Sequence, residues 1–246
     1  MSSRLIRWAM ALLAAICTSM IAGAAVPSRP TRTIAWLWDG ATQPAWSADE
    51  VAVVVGHYLL QGDQLKFRPR MHAPLLSAGT RITPVVHVEL GLARPPTDLS
   101  RHKQVLVDAV VNAGRTSTSG RVQLDMEARP SQREFYLELV KDIRRVLPAD
   151  TKLSVTALAW WCRSNVWMGD LAADEVVPMY FRMGRDSAEL RYTLETSPAR
   201  LHPRCTSDAA GFSAQEPFDE AVTYRYARAY WFDNRRWHAE TSTPHP

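Results

Sequence analysis

The chain has 246 residues and a formal net charge of +4, and 46% of its residues are hydrophobic. This length and apolar content favour one large domain with its own core over two small ones. Its 29 basic residues oppose 25 acidic ones and form no concentrated stripe, which argues against a nucleic-acid-binding protein.

The first 25 residues predict an export signal. Arg4 and Arg7 precede an apolar, alanine-rich run over residues 8–21, and the small residues 22–24 suit cleavage. The alternative is an uncleaved membrane anchor, for which the run is only marginally long enough. We therefore expect a periplasmic or secreted protein whose only membrane contact is this segment, if it stays uncleaved.

We divide the rest of the chain into a lead-in (26–33), one barrel domain (34–238) and a flexible tail (239–246).

Cleavage would leave two cysteines, Cys162 and Cys205. In an oxidising compartment such a pair predicts one disulfide, and the alternative is two unrelated buried thiols. Neither cysteine has a CxxC or CxxxH neighbour, and His57, His72 and His87 are scattered without ligand spacing. We therefore expect no metal and no other cofactor.

Strand-like and helix-like segments alternate along the domain. Eight segments have strand character, at residues 34–38, 51–55, 82–90, 121–128, 152–159, 175–181, 211–216 and 229–232. Helical spacing of apolar residues runs from His102 to Ala113, and again after Ser131, where Glu134 would complete a capping box. We expect a shorter helix over residues 187–194.

This alternation predicts an α/β fold, a (β/α)8 TIM-like barrel with shortened or missing helices in its second half. An open doubly wound sheet is the alternative. No GxGxxG or Walker-type glycine loop follows a strand, so a nucleotide-binding version has little support.

The segment 121–128 alternates polar and apolar residues. Because side chains on a strand alternate between its two faces, Gln123, Asp125 and Glu127 share one face. The segment would be the fourth barrel strand, and a parallel barrel carries its chemistry at the carboxyl ends of its strands. We predict Glu127 as general acid, with Asp125 raising its pKa or orienting a substrate group. The alternative is a pair of barrel-lining carboxylates neutralised by arginines.

Acids and aromatic residues recur at the other strand ends, as carbohydrate chemistry requires. Glu216 is a candidate second acid, and Tyr180 could hydrogen-bond a reacting group; the alternative for Glu216 is an ordinary loop residue. An arginine at this rim could bind a carboxylate-bearing sugar. Tryptophans at strand ends also serve as core packing. The predicted substrate-binding residues are Asp39, His87, Glu89, Trp160, Trp161, Arg182 and Trp231.

Several of these segments resemble an uncharacterised family of exported bacterial proteins, domain of unknown function 3142. The resemblance covers most of the mature chain and implies no established activity. It is carried by segments 36–38, 122–125, 128–133, 153–159 with 161–162, 177–179 with 181–184, 216–217, and 231–232 with 236–237.

More distantly, the chain resembles chitinase-like glycoside hydrolase barrels, whose fourth strand ends in a DxxDxDxE pattern. Asp125-Met126-Glu127 matches the final D-x-E, and Met179-Tyr180 is similar to their tyrosine element. Gln123 stands where that pattern has an aspartate, and no aspartate follows Tyr180. The resemblance therefore implies a proton donor at Glu127, but not substrate-assisted chemistry on N-acetyl sugars.

The sequence thus predicts an exported glycoside-hydrolase-like barrel that acts on a glycan, such as a cell-envelope polysaccharide. The main alternative is a catalytically silent barrel that binds a saccharide or a cell-envelope partner. A third hypothesis is a structural envelope protein.

Overall fold

The computed structural model describes residues 31–44, 46–206 and 208–232. These residues contain nine strands: β1 Arg32–Leu37, β2 Glu50–Gln61, β3 Gln64–Pro69, β4 Arg81–Leu90, β5 Arg121–Met126, β6 Lys152–Leu158, β7 Glu175–Met179, β8 Ala209–Ser213 and β9 Arg228–Phe232. They also contain the helices α1 Lys103–Gly114, α2 Arg133–Val146, α3 Asn165–Met168, α4 Ser187–Thr196 and α5 Glu220–Thr223. None of the helices in these ranges has the length and apolarity to cross a bilayer.

Eight of the strands form a closed parallel barrel in the order β1-β9-β8-β7-β6-β5-β4-β2, and β1 pairs with β2 to complete the circle. The predicted (β/α)8 fold is confirmed, and closure excludes the open doubly wound sheet. β3 is an addition, since it runs antiparallel to β2 and pairs with it over Gly56–Gln61. Because β2 and β4 stay paired as far as Leu60 and Leu90, this hairpin raises one wall of the barrel above the strand ends.

β5 shows how alternation builds the two faces of the barrel wall. Val122, Leu124 and Met126 are buried against the helical layer, as the period-two pattern predicts. Gln123 and Asp125 are buried on the opposite, inner face. The layer outside is supplied mainly by α1 and α2, which lie against each other and bury residues at helical spacing.

The connections depart from a regular β/α alternation. The predicted shortening of the second half is seen in α3 and α5, which have four residues each. The first half is shortened too, because the described residues between β1 and β2 contain no helix and β3 replaces the helix that would precede β4. The predicted cap at Ser131 is wrong. A 3-10 turn, Pro130–Gln132, leads into α2, and the Gln132 side chain accepts a hydrogen bond from the Arg129 amide at 2.9 Å.

A buried ion cluster fills the barrel at the amino ends of its strands. Arg228 donates to both carboxylate oxygens of Glu50, at 2.7 and 3.2 Å, and its Nε lies 2.8 Å from Glu175. The Tyr230 hydroxyl donates to Glu175 at 2.7 Å, and the Thr83 hydroxyl donates to Glu50 at 2.5 Å. Burial alone raises the pKa of Glu50, but its contacts with Arg228 and Thr83 outweigh burial and hold this pKa below its ordinary value.

The predicted disulfide is confirmed. Cys162 and Cys205 are bonded, with their Cα atoms 5.9 Å apart. The bond joins the segment after β6 to the segment before β8, and so spans β7. Two buried tyrosines, Tyr180 and Tyr226, donate their hydroxyls to the Cys205 carbonyl at 2.7 and 3.0 Å, which fixes this corner to the core.

Some expectations concern residues outside the described ranges. The export signal, the lead-in before residue 31 and the tail all lie there. β1 begins at Arg32, inside the range expected to be lead-in.

Candidate functional site

Asp125 and His87 are joined by a hydrogen bond at the carboxyl ends of the barrel strands. The two residues face each other across β4 and β5, and His87 Nδ1 lies 2.7 Å from Asp125 Oδ2. The Thr156 hydroxyl donates to the other carboxylate oxygen, also at 2.7 Å. Asp125 is only 4% exposed. Its carboxylate is therefore held by both oxygens, and its ion-pair partner among the described residues is a histidine.

Gln123 lies one layer deeper on the same face of β5. It is fully buried and donates from Nε2 to the Ser154 hydroxyl at 2.9 Å. The position where chitinase-like patterns have an aspartate is thus a neutral, hydrogen-bonded amide in this chain.

Glu127 follows the last residue of β5 and is exposed. Solvent reaches the side chain, but loss of hydration beside the wall of the mouth raises its pKa, and the Asp125 charge adds to this effect. His87 and Arg182 act in the opposite direction without cancelling it. A carboxyl with a raised pKa at a barrel mouth can hold a proton for transfer.

His57, His87 and Trp38 form an aromatic cluster beside Asp125. The two imidazole centroids are 5.4 Å apart, and Trp38 packs with its edge against His87 at 5.2 Å. Burial lowers the pKa of His57 to about 4, so this imidazole is neutral near pH 7. Burial also acts to lower the pKa of His87, but the hydrogen bond and charge of Asp125, with smaller contributions from other carboxylates, raise it overall.

Asp39 is an anchor for the loops at the rim. Its carboxylate accepts hydrogen bonds from Arg68, at 2.5 Å, and from the Met71 amide, at 2.9 Å. His57 Nε2 lies 3.9 Å from the same carboxylate. Through these contacts Asp39 joins the end of β1 to β3 and the β3–β4 loop. Its side chain is largely shielded from the mouth, since Asp39 is only 9% exposed.

Arg70 holds the loop that carries Trp38. Its guanidinium donates to the carbonyls of Trp38, at 3.0 Å, and Val54, at 3.1 Å, and also to that of Ala41. Two of these carbonyls belong to the loop after β1, and the third lies within β2 beside its bulge. One cation therefore ties this loop to β2 through several backbone acceptors.

Arg182 has a left-handed backbone, with φ of 51°, which L-residues with side chains rarely adopt. Its amide donates to both oxygens of the Glu216 carboxylate, at 3.1 and 3.0 Å. The predicted second acid thus holds the backbone of another predicted site residue. The Arg182 side chain is exposed, and its charge reaches Glu127.

Glu89 is exposed two residues beyond His87 on β4, and its charge reaches both His87 and Glu127. Five predicted site residues therefore form one electrostatic cluster: His87, Glu89, Asp125, Glu127 and Arg182.

Four other predicted site residues are not brought to this cluster. Tyr180 is fully buried in the outer core, and its hydroxyl is bonded to Cys205. Trp161 stacks on Trp167 at 4.1 Å and is fully buried, and Trp160 packs edge-on against both. Trp231 packs on the outer core beside Phe212. These tryptophans pack in the core, which was the alternative interpretation to binding a substrate.

Three residues of the cluster were not predicted as site residues, namely Trp38, His57 and Thr156. Alternation along β1 could have predicted that Trp38 points inward, because it is two residues beyond Trp36, whose side chain lies in the barrel interior. Alternation could not have predicted the direction of the His57 side chain, since a bulge between Val54 and Gly56 shifts the register of β2. In the described residues, no three His, Cys, Asp or Glu side chains are grouped as a metal ion would need.

No protein-family model matches the chain, and no curated protein matches it in sequence. Membership of domain of unknown function 3142 therefore stays a prediction. Among solved structures, a GH18 chitinase from Pseudoalteromonas aurantia is similar over 82% of this chain and 94% of its own, with 11% identity and a TM-score of 0.54. A protein assigned as chitinase A from Streptomyces coelicolor is similar over 86% of this chain and 94% of its own, with 12% identity and a TM-score of 0.53.

The Bacillus cereus spore cortex-lytic enzyme SleL is similar over 75% of this chain, with 14% identity and a TM-score of 0.45, and this chain spans 50% of its length. At these identities the two chitinase similarities concern the fold. The chain has the fold of chitinase-like (β/α)8 barrels.

Proposed function

We propose that this chain is an exported glycoside-hydrolase-like barrel that acts on a glycan, with Glu127 as general acid. The observation that carries the proposal is an exposed carboxyl with a raised pKa at the end of the fourth barrel strand, next to a buried carboxylate held by two hydrogen bonds. Such a carboxyl protonates the glycosidic oxygen as the bond to the anomeric carbon breaks. Asp125 supplies the negative charge that favours the protonated form of Glu127.

Trp38 is the aromatic surface of this site on which a sugar ring could stack. Its loop is fixed by Arg70, and its ring lies beside His57 and His87. Arg182 and Glu89 add exposed charges of opposite sign. A sugar hydroxyl or carboxylate would have hydrogen-bonding partners on both sides of Glu127.

A second candidate function, a catalytically silent saccharide-binding barrel, is favoured by one observation. Two predicted site carboxylates that could act as nucleophile are occupied, because Asp125 binds His87 and Thr156 while Glu216 binds the Arg182 amide, which leaves Glu89 on the neighbouring strand. A double displacement through a glycosyl-enzyme intermediate needs a second free carboxylate.

The test is hydrolysis of a glycan panel by the purified mature protein, wild type beside Glu127→Gln. Because the two similar barrels are described as chitinases, chitin oligosaccharides come first, followed by peptidoglycan and uronic-acid polymers. Loss of a general acid lowers the rate by about 10² to 10⁴-fold. Glu134→Gln, an exposed glutamate on α2, is the matched control and keeps full activity.

Binding without turnover in both proteins would establish the silent barrel instead. If the panel shows no binding and no turnover, both candidate functions are refuted. The proposed export is tested separately, by N-terminal mass analysis of protein recovered from the periplasm or medium. A mature chain that begins near residue 25 supports cleavage, and an intact terminus in the membrane fraction supports the anchor.

A further inference from the structure

The His87–Asp125 pair has the geometry of an oriented base. Asp125 is buried, and its Oδ2 receives the Nδ1 proton of His87. This hydrogen bond fixes both the ring orientation and the tautomer, and leaves Nε2 as the basic nitrogen. Among the described residues Nδ1 alone of the two ring nitrogens has a hydrogen-bond partner, so Nε2 remains for a group in the mouth.

We propose that His87 is the second catalytic residue of this site, the base that activates water, and that Asp125 is its positioning residue. This inference rests on the proposed glycan hydrolysis and specifies its mechanism. The site would combine a carboxyl with an imidazole and would not use two carboxylates.

Spacing on the sheet supports this pairing. His87 is opposite Asp125, and Glu127 is two residues further along the chain, directly after β5. With a rise of about 3.3 Å per residue and a strand separation of about 4.8 Å, the Cα atoms of His87 and Glu127 are about 8 Å apart. Inverting glycosidases keep roughly 6.5 to 9.5 Å between the two catalytic groups themselves, which leaves room for the attacking water, and side chains on neighbouring strand ends can reach such a separation.

The proposed step is a single displacement. Nε2 of His87 takes a proton from water while the water oxygen bonds to the anomeric carbon. The bond from this carbon to the glycosidic oxygen breaks, and the leaving oxygen takes the proton of Glu127. The products are a sugar with inverted anomeric configuration and a free alcohol, and nothing is oxidised or reduced. Return of the proton from His87 to Glu127 through solvent completes the cycle.

The charges around His87 govern its basicity. Asp125 and Glu127 face it from β5, Glu89 lies on its own strand, and His57 faces it from β2. The carboxylates raise the pKa of His87 despite its burial. The reactive form carries a proton on Glu127 and none on His87. Because imidazole is the stronger base, this form is a minor one, and the rate follows a bell-shaped pH profile.

The experiment compares wild type with His87→Gln, Asp125→Asn and the control His102→Gln, a histidine outside this cluster. We expect His87→Gln to lower kcat by about 10² to 10⁴-fold with KM changed less than about threefold, and to remove one limb of the bell. Product from wild type, followed by NMR, should have inverted anomeric configuration. In ¹⁵N-histidine-labelled protein, His87 should show the Nδ1–H tautomer, and Asp125→Asn should lower its pKa.

The outcomes separate the two proposals. If Glu127→Gln abolishes turnover while His87→Gln keeps the wild-type rate and pH profile, or if the product retains its configuration, His87 is not the base and the proposed function stands. If wild type hydrolyses no glycan, both proposals fail. Equal loss in His87→Gln and His102→Gln would mean that the effect is not specific to the site.

Discussion

Replacing Arg228 by methionine should destabilise the barrel far more than removing any surface charge. The substitution keeps an apolar side chain in the space but removes the closest cation from Glu50, which is fully buried, and from Glu175, which is 7% exposed and keeps only Arg121 at 3.4 Å among its described ion pairs. Removing one partner of a buried pair costs about 3 to 5 kcal/mol, because the remaining charge stays desolvated. For a domain of this size the midpoint of thermal unfolding falls by about 2 to 4 °C per kcal/mol.

The destabilisation should also depend on pH in a defined direction. Arg228 holds the pKa of Glu50 below its ordinary value of 4.5, so in wild type this group contributes stability above that pH and loses it as the pH falls. Without Arg228 the largest influence that holds down the pKa of Glu50 is gone, and this pKa rises against the weaker effects of Thr83 and Arg121. The destabilisation of the variant then lessens as the Glu50 carboxyl takes up a proton. The difference in unfolding free energy between wild type and variant is largest near pH 7 and shrinks toward pH 4.

Urea denaturation followed by circular dichroism, at several pH values between 4 and 8, measures this difference. The matched control is Arg145→Met, which removes an ion pair with Asp142 from an arginine side chain that is 74% exposed. Exposed pairs contribute about 1 kcal/mol or less. A loss of similar size in both variants, or a difference that grows as the pH falls, would refute the reasoning.

Three further predictions concern stability. Replacing Cys162 and Cys205 by serine opens a loop with a sequence separation of 43 and should lower the free energy of unfolding in urea by about 4 kcal/mol. Wild type with its disulfide reduced should show the same loss. The pKa of His57 is lowered to about 4 from 6.5, so the folded state resists protonation of this imidazole and the protein loses stability as the pH drops from 6.5 to 4. His57→Gln should make the midpoint of thermal unfolding fall less steeply over this pH range. Arg182→Gly relieves the left-handed backbone and should raise the free energy of unfolding, measured in urea, by about 0.5 to 1 kcal/mol.

The sequence predicts the fold well because alternation and spacing are strong signals in this chain. β5 is polar on one face and apolar on the other, so the inward direction of Asp125 followed from counting residues. The disulfide followed from an even pair of cysteines after the predicted cleavage. Helix lengths were less predictable, because a connection folds as a hairpin or a short turn wherever the barrel wall can be covered without a helix.

The site was predicted in part, and the failures have separate causes. Glu175 on β7 and Arg228 on β9 mark the inner faces of these strands, and Tyr180 and Trp231 are out of phase with them and point to the outer core. On β2 a bulge before Gly56 reverses the count and brings His57 into the mouth. A side chain at Gly56 would meet the Phe67 ring of β3 at 2.7 Å, so glycine at the bulge leaves room for a cross-strand ring that strand periodicity does not encode.

The added strand β3 also has a consequence for the solution behaviour of the protein. A closed barrel presents no unpaired strand, but β3 pairs only with β2 among the described strands and so exposes a sheet edge. Free edges recruit strands from other molecules and lead to aggregation. This edge carries Lys66, Arg68 and Pro69, all exposed, and lysine, arginine and proline are poor partners for an incoming strand. The residues that raise one wall of the mouth thus also protect the protein from self-association.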